Sequence, residues 1–143
     1  MEQEIWTYSS EQRIPSDSSA GNLLREEILY QLEAHEWFQH DIFGVTLALE
    51  EALINAIKHG NQYDTNKRVH VVCKISHSRV RIEITDEGSG FNLQCIPDPT
   101  EDDNLEIPSG RGIMLMRNYM SLVQYNDVGN CVVMEKLRNA DNS

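Results

Sequence analysis

Basic residues are scarce in this chain of 143: lysine and arginine number 12 against 23 aspartates and glutamates, a formal net charge of −11. Binders of nucleic acid or of anionic membranes need a basic face, so the deficit argues against both. It fits a chain whose partner is another protein carrying basic patches. Long hydrophobic runs are lacking too. No apolar stretch approaches membrane-spanning length, and no charged segment with an apolar core opens the chain, which predicts a cytoplasmic protein. Cysteines are few and odd in number: Cys73, Cys95 and Cys131 lie far apart with no C-x-x-C, a poor basis for a disulfide framework or a zinc site. Cys73 and Cys131 stand among apolar neighbours at strand-like positions and read as buried thiols. Repeats and low-complexity segments are absent. What remains is an ordinary globular composition, long enough for one domain over residues 1–143 with a real core.

The hydrophobic pattern divides the chain into alternating elements. Residues 3–9 read as a short edge strand, and Ser16-Asp17-Ser18-Ser19 offers caps for a helix whose Ala20, Leu24, Ile28 and Leu32 share a face. Trp37 and Phe38 plug the gap before a second helix, for which Asp41 is the expected N-cap and Gly60 the expected stop. Its apolar stripe is Ile42, Val45, Leu49, Ala52, Leu53, Ala56 and Ile57. Two cleanly alternating strands follow, one with Val69, Val71, Cys73 and Ile75 and one with Val80, Ile82 and Ile84. Residues 92–109 are polar and too long for an idle loop, which marks a lid. A third helix is expected from about Gly112 to Leu122, with Ile113, Met116 and Met120 on one side. Strands at 122–127 and 131–138 close the chain around a turn at Gly129-Asn130. Strands paired mostly by hairpins, with helices to cover one face, predict an α+β two-layer sandwich on a mainly antiparallel mixed sheet.

Three segments carry chemistry. On the second helix Glu51 and Asn55 lie four residues apart and share a face, which passes Lys58 and His59 near its end. Glu50 looks elsewhere, since its neighbour one turn on is Ile54. A carboxamide oxygen is a hard neutral ligand suited to Mg²⁺, and a carboxylate one turn away can take a proton from an attacking hydroxyl. Next, Asp86 ends a strand and is followed by Gly88-Ser89-Gly90. A shielded carboxylate there can receive a hydrogen bond from an exocyclic amine such as adenine's, and the glycines let backbone approach a flat ring. Then Gly110 and Gly112 flank Arg111 ahead of the third helix, where backbone N–H groups and a forked cation suit phosphate. Singly, each has a plain alternative: a solvated helix face, a glycine turn, a flexible helix lead-in.

The order E-x-x-x-N on a helix, two strands, D-x-G-x-G, a long loop and G-R-G before a helix resembles the ATP site of the gyrase/histidine-kinase superfamily, over about Asp41 to Met120. Within it, HGNQYDTNKRV and PDPTEDDNLEIPSGRGIMLMRNYMS look like bacterial anti-sigma factors of the partner-switching type that double as serine/threonine kinases. The resemblance implies the Bergerat ATP-binding fold, with ATP and Mg²⁺ as cofactors. It implies Glu51 as general base, Asn55 as Mg²⁺ ligand and Asp86 as adenine reader. Gly88 and Gly90 would line the base pocket, and Gly110, Gly112 and the adjoining Ile113 the phosphate loop. A lid at about 92–111, a sigma factor and an anti-sigma-factor antagonist as protein partners, and a homodimer are implied as well. The chain departs from some members in having Pro108-Ser109 where a basic residue stands, and Arg111 is the candidate for the missing charge at the γ-phosphate.

Two competing functions follow from the same residues. One is a nucleotide-gated sigma-factor-binding module without kinase activity, against which Glu51 argues, since a pure binder has no need of it. The other is a detached histidine-kinase catalytic domain, against which the lack of a dimerising helical segment with a phosphoacceptor histidine argues. His35, His40, His59, His70 and His77 are scattered and read as surface or capping residues. No His/Asp/Glu cluster has zinc-ligand spacing, which disfavours a metal hydrolase.

Overall fold

Asp17 opens the first helix by accepting the Ala20 N–H at 2.8 Å, as the polar run before it predicts. In the computed structural model, which describes residues 5–88 and 110–138, that helix is α1 (Ser18–Ala34), and Leu24, Ile28 and Leu32 bury its inner face. Ahead of it runs β1 (Tyr8–Pro15). The strand expected over 3–9 therefore lies further along the chain. Its side chains alternate between half-buried and exposed, and Ile14 alone reaches the core, so apolar spacing was a poor guide to it.

The second helix, α2 (Gln39–Ile54), buries the expected stripe from Ile42 to Leu53 and passes without a break into a π-helical segment, Asn55–Gly60. There the Asn61 N–H donates five residues back to Ala56 O at 2.8 Å. Asp41 is not the N-cap. Phe38 holds that place with no side-chain hydrogen bond, and Asp41 lies fully buried in the first turn, 3.8 Å from the Lys136 ammonium. The carboxylate thus has a cation from far along the chain beside it.

Strands β2 (Arg68–Ile75) and β3 (Arg79–Thr85) form a hairpin whose buried faces carry Val69, Val71, Cys73 and Ile75, then Val80, Ile82 and Ile84. After residue 109 come α3 (Gly110–Tyr119), β4 (Leu122–Tyr125) and β5 (Cys131–Leu137). Helix α3 starts two residues earlier than expected and takes Gly110 and Gly112 into its own first turn. Ile113, Met116 and Met120 pack inward.

The sheet order is β1-β2-β3-β5-β4, and every neighbouring pair is antiparallel. The mainly antiparallel mixed sheet expected from the sequence is thus antiparallel at every pairing. Two helices between β1 and β2 return the chain to its starting side, so these strands oppose each other. One helix between β3 and β4 leaves those two parallel, but β5 inserts between them and opposes both. The α+β two-layer architecture itself is as expected, with the helices packed on the buried sheet face. Leu49 and Ile82, both nearly solvent-free, belong to that core, where truncation to alanine costs about 2–5 kcal/mol. No helix among the described residues is long and apolar enough to cross a membrane. Cys73 is buried and Cys131 half-buried, both as free thiols; Cys95 lies outside the described residues.

Candidate functional site

At the junction of α2 and the π-helical segment, Asn55 is 7% exposed, and its Nδ2 donates to the Tyr125 hydroxyl at 3.2 Å. One turn earlier, Glu51 is half-buried. Burial, with Glu50 adding its charge, holds its carboxyl above the usual range. The same carboxylate abuts the start of α3: a Cβ placed on Gly112 would stand 2.7 Å from Glu51 Oε2. Glycine at 112 is what lets the helix begin against the acid. The shared face of Glu51 and Asn55 thus looks from one helix onto the first turn of another.

Asp86 leaves β3 into the same space. It is 8% exposed, and burial lifts its carboxyl to about 6, against the smaller opposing pull of the Gly88 N–H at 2.8 Å and of Lys67. Its main chain is pinned by its N–H donating to Asn130 O at 2.9 Å. Two glycines make room for it. A Cβ at Gly60 would sit 2.5 and 2.6 Å from the two carboxylate oxygens, and one at Gly88 would run into the Gly60 carbonyl. Helix end and strand end therefore interlock at 60, 86 and 88.

Between them lies a pocket enclosing about 350 Å³ including its open mouth. Asn55, Ala56, His59 and Gly60 form one wall, Ile84 and Asp86 a second, and Tyr125, Gly129, Asn130 and Val132 of the last hairpin a third. Apolar walls with a few convergent polar groups suit a flat heterocycle. Among the described residues no group of three or more His, Cys, Asp or Glu could hold a metal ion. A cation here would draw on the carboxamide of Asn55 and on its ligand's own oxygens, which is how Mg²⁺ is held beside phosphates.

The structure thus brings Glu51, Asn55, Asp86, Gly88 and Gly112 to one side of the molecule. The Ile113 side chain is 4% exposed and belongs to the core, so its backbone is what faces outward from the helix start. Gly110 and Arg111 are placed as backbone of α3; the Arg111 side chain, Gly90, Pro108-Ser109 and the 92–109 loop lie outside the described residues.

Sequence reasoning passed over several contributors. Asn61 is fully buried. Its Nδ2 donates to Ser16 Oγ (2.9 Å) and Arg68 O (3.0 Å), and its Oδ1 accepts the Glu87 N–H (2.7 Å). One side chain so ties the exit of β1, the entry of β2 and the segment carrying Asp86. A lone polar residue directly after a helix-ending glycine was the only signal for it. Tyr125 and Asn130 gave none, because their contacts cross the whole fold.

The chain is similar to known proteins over most of its length. The family described as histidine kinase-like ATPase domain matches residues 14–136. An anti-sigma F factor of Clostridium perfringens is 32% identical over 104 residues, 69% of this chain and 74% of that protein. The serine-protein kinase RsbW of Staphylococcus aureus is 25% identical over 134 residues, covering 88% of this chain and 84% of that one. Among solved structures, the RsbU and RsbW domains of a Mycobacterium tuberculosis protein superpose with a TM-score of 0.63 at 15% identity, a likeness of fold. That match takes in 93% of this chain but 32% of the larger one.

Proposed function

This chain belongs to the histidine kinase-like ATPase domain family, in its anti-sigma-factor branch, and from that premise we propose that it binds ATP with Mg²⁺ and phosphorylates a serine or threonine of an anti-sigma-factor antagonist. It also captures a sigma factor, and it works in the cytoplasm. The observation that carries the reading is the pocket in which a buried carboxamide and a buried carboxylate converge, with a second carboxylate against the first turn of α3. The names of the two relatives, an anti-sigma factor and a serine-protein kinase, support the two halves of it.

Each residue has a task in this reading. Asp86 accepts a hydrogen bond from the exocyclic amine of adenine, and Gly60 and Gly88 leave room for its carboxylate against the helix end. Asn55 holds the cation through Oδ1. When bound there, Mg²⁺ would supply charge neutralisation at the phosphates. Gly110, Gly112 and the backbone of Ile113 offer the helix start to the phosphates, with Arg111 as the local cation. Glu51 orients the acceptor hydroxyl and takes its proton as the oxygen bonds to the γ-phosphorus and the bond to the β,γ-bridging oxygen breaks, releasing ADP. Its raised carboxyl makes it the stronger base.

The test is transfer of label from [γ-³²P]ATP to a candidate antagonist, read as phosphoserine or phosphothreonine. Glu51→Gln is expected to lower the rate at least about 100-fold, the contribution of a general base, with nucleotide affinity retained. A Glu51→Gln protein that phosphorylates at the unaltered rate removes Glu51 from the mechanism. ATP-dependent capture of sigma factor with no phosphorylated antagonist would instead identify a nucleotide-gated binder.

A further inference from the structure

Tyr125 closes β4, and its ring lies against the pocket where it receives the Nδ2 hydrogen bond of Asn55. A carboxamide has two ends of nearly equal shape and opposite chemistry: the nitrogen end donates, and the oxygen end alone can bind a cation. A half-turn about its last side-chain bond would exchange them. Some neighbour must therefore hold the nitrogen end.

We propose that Tyr125 is the positioning residue for Asn55, its hydroxyl engaging Nδ2 so that Oδ1 is the end presented to Mg²⁺. This rests on the reading of the pocket as a Mg²⁺-nucleotide site. A hydroxyl can accept or donate, and its surroundings choose. Here the hydroxyl accepts from Asn55 Nδ2 at 3.2 Å. Tyr125 is well mounted for the task. It pairs with Val132 of β5, and in the following turn Asn126 Oδ1 accepts the N–H groups of Gly129, Asn130 and Cys131 at 2.8, 3.0 and 3.2 Å. Asn130 in that turn also holds the main chain of Asp86. One hairpin end thus sets both the cation ligand and the base reader, as pre-organised sites require.

Calorimetric titration of the whole chain with ADP across a series of Mg²⁺ concentrations tests the assignment. Tyr125→Phe removes one oxygen from the site and is expected to raise the half-saturating Mg²⁺ about tenfold, the usual effect of losing a partner behind a metal ligand. Metal-free ADP affinity should fall less than the Mg²⁺-supported affinity, and the urea midpoint should not move enough to account for the change. In an Asn55→Ala background no carboxamide remains to be oriented, so there Tyr125→Phe should change the Mg²⁺ dependence by no more than about twofold, whereas a general packing role would act equally in both backgrounds. An unchanged Mg²⁺ requirement in Tyr125→Phe, or an equal loss of metal-free binding, overturns the assignment. Wild-type protein that binds ADP indifferently to Mg²⁺ overturns the underlying function as well.

Discussion

Asp86 shows how far one side chain's surroundings reach into function. Its ordinary carboxyl value of 3.8 is raised to about 6 in the folded chain, burial being the largest cause. The native state then binds protons more tightly than the unfolded one, so this residue makes stability fall as pH rises from about 4 to about 6 and level off above. Nucleotide binding should run the other way, since the amine of adenine needs the ionised form. ATP affinity is expected to drop about tenfold between pH 7 and pH 5, measured by calorimetry, and Asp86→Asn should bind weakly with that slope removed. An undiminished slope in Asp86→Asn would assign the titration to another group. Glu51, Asn55 and Asp86 could be picked out of the sequence because their spacing puts each at the working end of an element. Asn61 and Tyr125 could not, because the partners that give them meaning sit on elements brought close by folding alone.

Among the elements, the interlock of the π-helical segment with the strand end is the tightest constraint. Gly60→Ala puts a methyl group into the Asp86 carboxylate, so the side chain or the helix end must shift. Binding of ATP should weaken at least about tenfold while the core, untouched, keeps most of its stability, typical for overpacking of about 1–3 kcal/mol. Equal ATP affinity in Gly60→Ala would show that Asp86 can move without consequence. The helices and central strands were legible because burial on one side imposes a period on the residues. Their ends were not. β1 lies at the sheet edge with a single core residue, so no alternation of apolar side chains announced it. Asp41 looked like a cap because cap chemistry is local, whereas its ion pair with Lys136 is not. Gly110 and Gly112 looked like a lead-in because glycine disfavours helices, yet both lie inside the first turn, where Gly112 leaves room for the Glu51 carboxylate.

Over the whole molecule, Lys136 is the cation that joins three elements. From β5 it donates to Tyr119 O at the end of α3 (2.9 Å) and stands 3.8 Å from the buried Asp41 of α2. Lys136→Met should cost roughly 2–3 kcal/mol in urea unfolding, since it strips a charged hydrogen bond from a helix end and a counter-ion from a buried acid. Stability unchanged within about 0.5 kcal/mol would mean that Asp41 is satisfied without it. The insertion of β5 between β3 and β4 has a further bearing, on how the protein is made. The latest of the described strands is an interior one, and it supplies the Val132 wall while its hairpin presents Tyr125 and Asn130. A chain emerging from the ribosome can therefore complete helices, β2 and β3 and still have no nucleotide site. Ligand capture waits for that strand to slot home, so a nascent chain that has not yet made β5 cannot respond to ATP.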